Sequence, residues 1–367
     1  MARVRLSLTS DRVIAWLLEH GQLEEPGLVS GNIRVEEVPG RNVNFRVKFD
    51  HGSGWFIKQA PADEPMAQYL AVEATLYQMA AAGGHFPSAT MPGLVLWHPD
   101  DAILVTELVT SPADFTTPED PEADPVPRGF GPAFGSALAA IHRIRPGSLG
   151  AEALVLPTDP PWVLGIGRPH PGQLRCLSAG QLELLRAIQG GDGVQKRLDA
   201  LAAAWLPNAL VHGDVKWPNL LLAGGSANQP DLRFVDWELA QWGDPLWDLG
   251  GALQTYLSDV IHWCSTESGR DPAAAATTFG DALPALRREI GLLWAAYWGG
   301  VSPGSTAVRR VVEYSAARLL QSAFEWSQTE ARMPRRAVAA CQLAFNLLAN
   351  AEAGAAAVFG LPNGEAS

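Results

Sequence analysis

Cysteine is scarce in this chain. The three present, Cys176, Cys264 and Cys341, are scattered and odd in number. They form no disulfide framework and no metal-binding spacing, so a reducing cytoplasm is the compartment expected. Positive charge is also in deficit: 27 Lys and Arg stand against 39 Asp and Glu, a formal charge of −12. A nucleic-acid partner would favour a basic patch, and that class is set aside. An acidic balance aids solubility and would also suit a cationic acceptor. No apolar run reaches the roughly 18 residues of a membrane span; Leu246–Trp263 is interrupted by Asp248 and Asp259. The opening MARVRLSLTSDRVIAW is broken by charges and has no signal-peptide apolar core. No repeat at solenoid-like periods is present.

Two segments carry chemistry. Leu210–Leu222 reads LVHGDVKWPNLLL and Phe234–Gly250 reads FVDWELAQWGDPLWDLG. Asp214 and Asn219 share one short loop between apolar runs. Asp236 closes the apolar run Leu232–Val235. A hairpin from Leu220–Leu222 to Leu232–Val235, turned by Gly224–Gly225, brings Asp236 back beside Asn219. Two hard-oxygen ligands plus a separate carboxylate suit Mg²⁺ on nucleotide phosphates, with one carboxylate left to orient a hydroxyl.

The pattern HGDxxxxN, then hydrophobic-Asp-Trp-Glu, then GDPxxDL resembles the aminoglycoside phosphotransferase family, whose members share the protein-kinase fold. The resemblance implies an α+β, two-lobed protein using ATP and Mg²⁺. Residues 1–110 would form the β-rich nucleotide-binding lobe, with a hinge near 106–110, and 111–367 a mainly helical lobe holding the catalytic loop, metal and acceptor sites. It implies that Asp214 is the catalytic base, that Asn219 and Asp236 hold the metal, that His212 braces the loop, and that Asp244 and Asp248 are structural acids. Lys216, two residues after Asp214, is placed to neutralise charge on the transferred phosphoryl group, as eukaryotic Ser/Thr kinases also carry lysine there.

Such a fold needs a strand lysine at the α/β-phosphates and a helix carboxylate to hold it. Lys58 ends the β-prone run Gly54–Lys58, which follows Val43–Phe49 as a hairpin. A helix is predicted over Met66–Ala82, ended by Gly83–Gly84. Glu73 lies midway between Leu70 and Leu76 on its apolar stripe. A carboxylate there needs a partner, and Lys58 is the candidate. Asp101–Val109 reads as a strand entering a hinge, and the resemblance suggests that backbone groups of Glu107 and Val109 meet the adenine edge. No GxGxxG covers the phosphates; Val38–Phe45 stands in its place, where Gly40 permits a tight turn and the amides around Asn42–Asn44 can face phosphate oxygens.

Elsewhere, Ser10–His20 reads as an amphipathic helix packed on the small lobe, with Gly21 after it. Ser111–Pro132, dense in Pro, Asp and Glu, reads as a solvated insertion. Helices are expected at Phe134–His142, Leu174–Gln189, Val194–Trp205, Leu283–Trp298 and Arg309–Gln328; His142 is read as a packing residue. The aromatics Trp294, Tyr297, Trp298, Tyr314, Phe324 and Trp326 are mostly core, any exposed at the cleft being available as an acceptor wall.

The expected activity is transfer of the ATP γ-phosphate to a hydroxyl of a small molecule or natural product. The drug-modifying members commonly finish with acidic and aromatic residues, and the ending Phe359–Ser367, with one acid, departs from that. A second reading is the kinase-like component that phosphorylates Ser/Thr of a precursor peptide beside a separate lyase-like protein in lanthipeptide assembly; Ala316–Glu325 and the region of Trp162 are similar to those members. A third, a nucleotide-binding pseudokinase scaffold, would lose a motif acid, and here all are present.

Overall fold

Alternating side chains in the β-prone runs sort themselves onto two faces of one antiparallel sheet. A computed structural model describes residues 6–23, 33–50, 52–61, 64–83, 86–110, 126–147, 156–226, 229–267, 272–301 and 303–359. It places β1 (Arg34–Val38), β2 (Val43–Lys48), β3 (Gly54–Gln59), β4 (Leu94–His98) and β5 (Ile103–Glu107) in the order β1-β2-β3-β5-β4. The predicted β2–β3 hairpin sets Asn44 opposite Lys58, and β3 in turn sets Lys58 opposite Leu104. Phe45, Val47, Ile57, Ile103 and Val105 share a core with Val13, Trp16 and Leu17 of α1 (Ser10–Glu19). Asn44, Phe56, Lys58, Leu104 and Thr106, one step out of phase, line the cleft instead. α1 ends where expected, with Gly21 in the left-handed region at φ +66°.

The helix α2 (Glu64–Ala82) packs differently from α1. Its buried Leu70, Ala74, Leu76 and Tyr77 belong to the continuous core of the large lobe. The small lobe is therefore joined to the rest through this helix as well as through the chain after β5.

The large lobe is built from α3 (Gly131–His142), α4 (Ala179–Gly190), α5 (Val194–Ala203), α6 (Pro245–Glu267), α7 (Pro272–Trp298), α8 (Ser305–Trp326), α9 (Arg335–Ala349) and α10 (Ala351–Phe359). Of these, α6, α9 and α10 go beyond the helices expected above, and α7 starts earlier, in an alanine-rich stretch whose propensity is high but whose apolar stripe is weak. Two ribbons carry the motifs: β6 (Ala209–Val211) pairs with β9 (Gln241–Gly243), and β7 (Leu220–Ser226) with β8 (Gln229–Phe234).

The β7–β8 hairpin is the predicted one, but Gly224–Gly225 are not its turn. They lie within β7, opposite Asp231 and Pro230, beyond a register shift after Leu222, with φ of +146° and +89°. The glycines permit the bulge, and the ribbon runs on past it. The connection at 227–228 lies outside the described residues, as do Gly84 and positions 111–125 of the Pro- and Asp-rich stretch. Among the described residues no helix is long and apolar enough to cross a membrane.

Candidate active site

The loop after β6 is fixed by buried hydrogen bonds before any catalytic group is considered. Asp248, at the start of α6, accepts from the His212 amide (2.7 Å) and the Gly213 amide (3.0 Å). His142 Nε2 lies 3.1 Å from the same carboxylate, and its Nδ1 2.9 Å from the Tyr297 hydroxyl. Burial would raise the Asp248 pKa, yet its hydrogen bonds, that from His142 foremost, outweigh this and hold it below the usual carboxylate range. Gly213 has φ +82°, and a Cβ there would stand 2.3 Å from the Leu239 carbonyl oxygen, so this turn admits glycine alone.

His212 lies 3.0 Å, through Nε2, from the Val235 carbonyl, and its Nδ1 accepts the Asp214 amide at 3.3 Å. Those contacts assign the proton to Nε2. Burial pushes the imidazole pKa down, consistent with the neutral ring. The ring thereby ties the loop after β6 to the strand end that carries Asp236.

Asp214 is buried and surrounded by donors. Arg318 Nη2, from α8, donates to Oδ1 at 2.8 Å; Lys216 Nζ and Asn219 Nδ2 reach Oδ2 at 2.7 and 3.1 Å. Arg318 is itself buried, with further bonds to the Val215 carbonyl and Gln321 Oε1. Burial would raise the Asp214 pKa; Arg318, then Lys216, reverse this and hold the carboxyl well below its usual range. The group is thus an acceptor of hydrogen bonds at any physiological pH.

Across the cleft, Lys58 Nζ donates to both oxygens of Glu73 (2.9 Å each) and to Asp236 Oδ1 (2.7 Å). Burial would lower the Lys58 pKa, but the two carboxylates overcome it and keep the ammonium charged. Asp236 has left-handed backbone, φ +66°, uncommon for a residue other than glycine. One lysine therefore joins β3, α2 and the end of the β7–β8 ribbon. A cavity of about 340 Å³ lies here, lined by Lys58, Glu73, Asn44, Val109, Asn219 and Asp236 among others. Asp214 and Lys216 adjoin it through Asn219.

The Lys58–Glu73 contact predicts energetic coupling. In a neutral cycle of Lys58→Met, Glu73→Gln and the double variant, urea denaturation is expected to give a coupling of about 0.5–3 kcal/mol. A charge swap is unsuitable, because a glutamate at position 58 would face Asp236. Coupling of zero would mean that the two side chains do not meet in solution.

Glu107 stands apart from this cluster. Its amide donates to the Gly93 carbonyl (2.8 Å), its carboxylate accepts from the Gly93 amide (3.0 Å), and it does not line the cavity. Asn44 does line it, with its side-chain oxygen buried and without a hydrogen-bond partner among the described residues. The motif does not point to Arg318 or to the pair Arg41–Glu238, which bridges the turn before β2 to the large lobe. Arg318 has a local signal: it is a lone charge between Ala316–Ala317 and Leu319–Leu320, the same anomaly that marks Glu73. Of the six large-lobe aromatics, Tyr314 bonds Asp244 and Tyr297 packs on His142. Phe324 packs edge-on against Trp162.

The Phosphotransferase enzyme family matches residues 35–291, a span containing every motif residue above. The chain belongs to this family. One solved structure agrees in fold, and two others show similarity alone. An aminoglycoside 2′-phosphotransferase in complex with GDP is 14% identical with a TM-score of 0.52, over 94% of this chain and 98% of that one. A macrolide 2′-phosphotransferase from Brachybacterium faecium is 17% identical with a TM-score of 0.43, over 84% and 97%. A choline kinase from Streptococcus pneumoniae is 13% identical with a TM-score of 0.47, over 92% and 99%. No curated protein matches significantly. For this phosphotransferase-family chain, Arg318 lies beyond the matched span.

Proposed function

We propose that the protein transfers the γ-phosphate of ATP to a hydroxyl of a small molecule, with residues up to about 110 as the nucleotide-binding lobe and the remainder as the catalytic and acceptor lobe. The observation that carries this reading is Lys58 held between Glu73 and Asp236 in one cavity with Asn219, while Asp214 stands just behind. Lys58 would grip the nucleotide phosphates, positioned by Glu73. Asp214 would accept a hydrogen bond from the acceptor hydroxyl, orienting it, and take its proton late in transfer. Lys216 would offset charge on the transferred group. An aminoglycoside phosphotransferase of this fold binds GDP, which supports a nucleotide in the equivalent place. The free cysteines suit a reducing cytoplasm.

The donor set fits a hard divalent cation. Asn219 spends its amide nitrogen on Asp214, leaving the carbonyl oxygen as its metal-facing end, and Asp236 supplies a carboxylate. Among the described residues no cluster of three or more His, Cys, Asp or Glu could hold a metal. Such a pair suits Mg²⁺, which keeps waters and takes phosphate oxygens as ligands. When bound, the cation would neutralise charge on the phosphates.

Calorimetric titration with ATP and with GTP, each with and without Mg²⁺, tests the reading. The wild type is expected to bind ATP more tightly with Mg²⁺, and Asp236→Ala to lose that increment while staying folded. An unchanged metal dependence in the variant would remove Asp236 from the metal site; no nucleotide binding in the wild type would overturn the reading.

A further inference from the structure

A second cavity, of about 520 Å³, opens on the other side of the Asp214 loop. Gly213 lines it, and so does Glu238, which also lines the nucleotide-side cavity. Gln321, another wall residue, accepts a bond from Arg318, whose other nitrogen holds Asp214. Asp214 itself does not line the cavity; an occupant would approach its carboxylate through these neighbours. The volume is that of a pocket for a drug-sized molecule, which favours a compact acceptor over a peptide chain.

The walls define the occupant's chemistry. Tyr69 of α2 and Trp162 are 45% and 50% exposed, and both line this cavity. Trp162 is braced edge-on by Phe324, at 5.3 Å between ring centroids. Deeper in, Trp247 is buried, with its indole N–H on the Gly213 carbonyl. Among the described residues the lining includes no lysine, arginine or histidine, and two carboxylates, Glu238 and Asp159. Glu238 is ion-paired with Arg41, leaving Asp159 as the carboxylate without an ion-pair partner among the described residues. This one uncommitted carboxylate, on an exposed residue, matches one ammonium group. A compound with several ammonium groups would desolvate most of them without partners, which is unfavourable.

We infer that the acceptor is a hydroxyl compound with an apolar, ring-bearing body and at most one amine, held between Tyr69 and Trp162, and not a polycationic aminosugar. This rests on the phosphotransferase reading and specifies its substrate class. The test is calorimetry on protein first loaded with a non-hydrolysable ATP analogue and Mg²⁺. Three probes are used: a macrocyclic alcohol bearing one tertiary amine, its uncharged N-acyl counterpart, and kanamycin.

Both apolar probes are expected to bind at least about ten-fold more tightly than kanamycin. Trp162→Ala and Tyr69→Ala should each weaken them roughly ten-fold, the scale of one lost aromatic contact surface, with nucleotide affinity unchanged. Asp159→Asn should weaken the amine-bearing probe and leave the N-acyl probe unaffected. Kanamycin binding as tightly as the apolar probes, apolar binding indifferent to Trp162 and Tyr69, or no apolar binding to nucleotide-loaded protein would each overturn the inference. Failure to load nucleotide is a separate result; it would overturn the phosphotransferase reading and this inference with it.

Discussion

Asp214→Asn is expected to lower turnover by about 10²–10⁴-fold, the usual contribution of a positioned general base, while nucleotide affinity stays near that of the wild type. An amide matches the carboxylate in shape but cannot take the acceptor proton. The structure adds a cost that shape alone hides. Arg318, Lys216 and Asn219 all present donors to Asp214, so an amide N–H₂ must face at least one of them. The variant should therefore also lose about 1–3 kcal/mol of stability, the range for a buried donor left unpaired. Single-turnover transfer and urea denaturation on the same preparation separate the two effects. Turnover like that of the wild type would take Asp214 out of the mechanism.

Arg318→Met should destabilise the protein by about 3–5 kcal/mol at neutral pH, because it leaves the buried Asp214 charge without its buried counter-ion. The effect has a signed pH dependence. Asp214 is depressed in the folded protein, so its ion pairs contribute stability above the unfolded carboxylate pKa of about 3.9. That contribution fades as pH falls from there toward the folded value. The gap between wild type and Arg318→Met should accordingly be full at pH 7 and shrink below about pH 4. In the variant the carboxyl returns toward its ordinary range, so the acid limb of kcat/KM should move up in pH. Arg318→Lys should recover part of both properties. Equal stabilities at pH 7, measured by chemical denaturation, would show that the pair is not formed.

The segments that meet at the candidate site were legible because they are contiguous. His212, Asp214 and Asn219 sit within one short loop, and Asp236 returns across one hairpin. Lys58 and Glu73 were legible by a different logic, a carboxylate on an apolar helical stripe demanding a cation on a nearby strand, and the two meet at 2.9 Å. What escaped is long-range. Arg318 is 104 positions from Asp214 and Arg41 is 197 from Glu238; no periodicity connects residues so distant. The proposed acceptor wall escaped for a related reason. Tyr69 looks like an ordinary helical aromatic and Trp162 sits among prolines, and they converge because α2 leans on the large lobe. Gly224–Gly225 misled because paired glycines serve a bulge as well as a turn.

The helix α2 presents Glu73 and Tyr77 to the nucleotide-side cavity and, on its preceding turn, Gln68, Tyr69 and Val72 to the other. On the proposed reading a single helix partitions the two ligands. Any displacement of that helix on filling one cavity redraws a wall of its neighbour, and the resulting free energy belongs to both occupants equally. If phosphate donor tightens acceptor by some factor, acceptor must tighten donor by the same factor. Order of addition then becomes a matter of rates, with the equilibrium ternary complex indifferent to which partner arrived first.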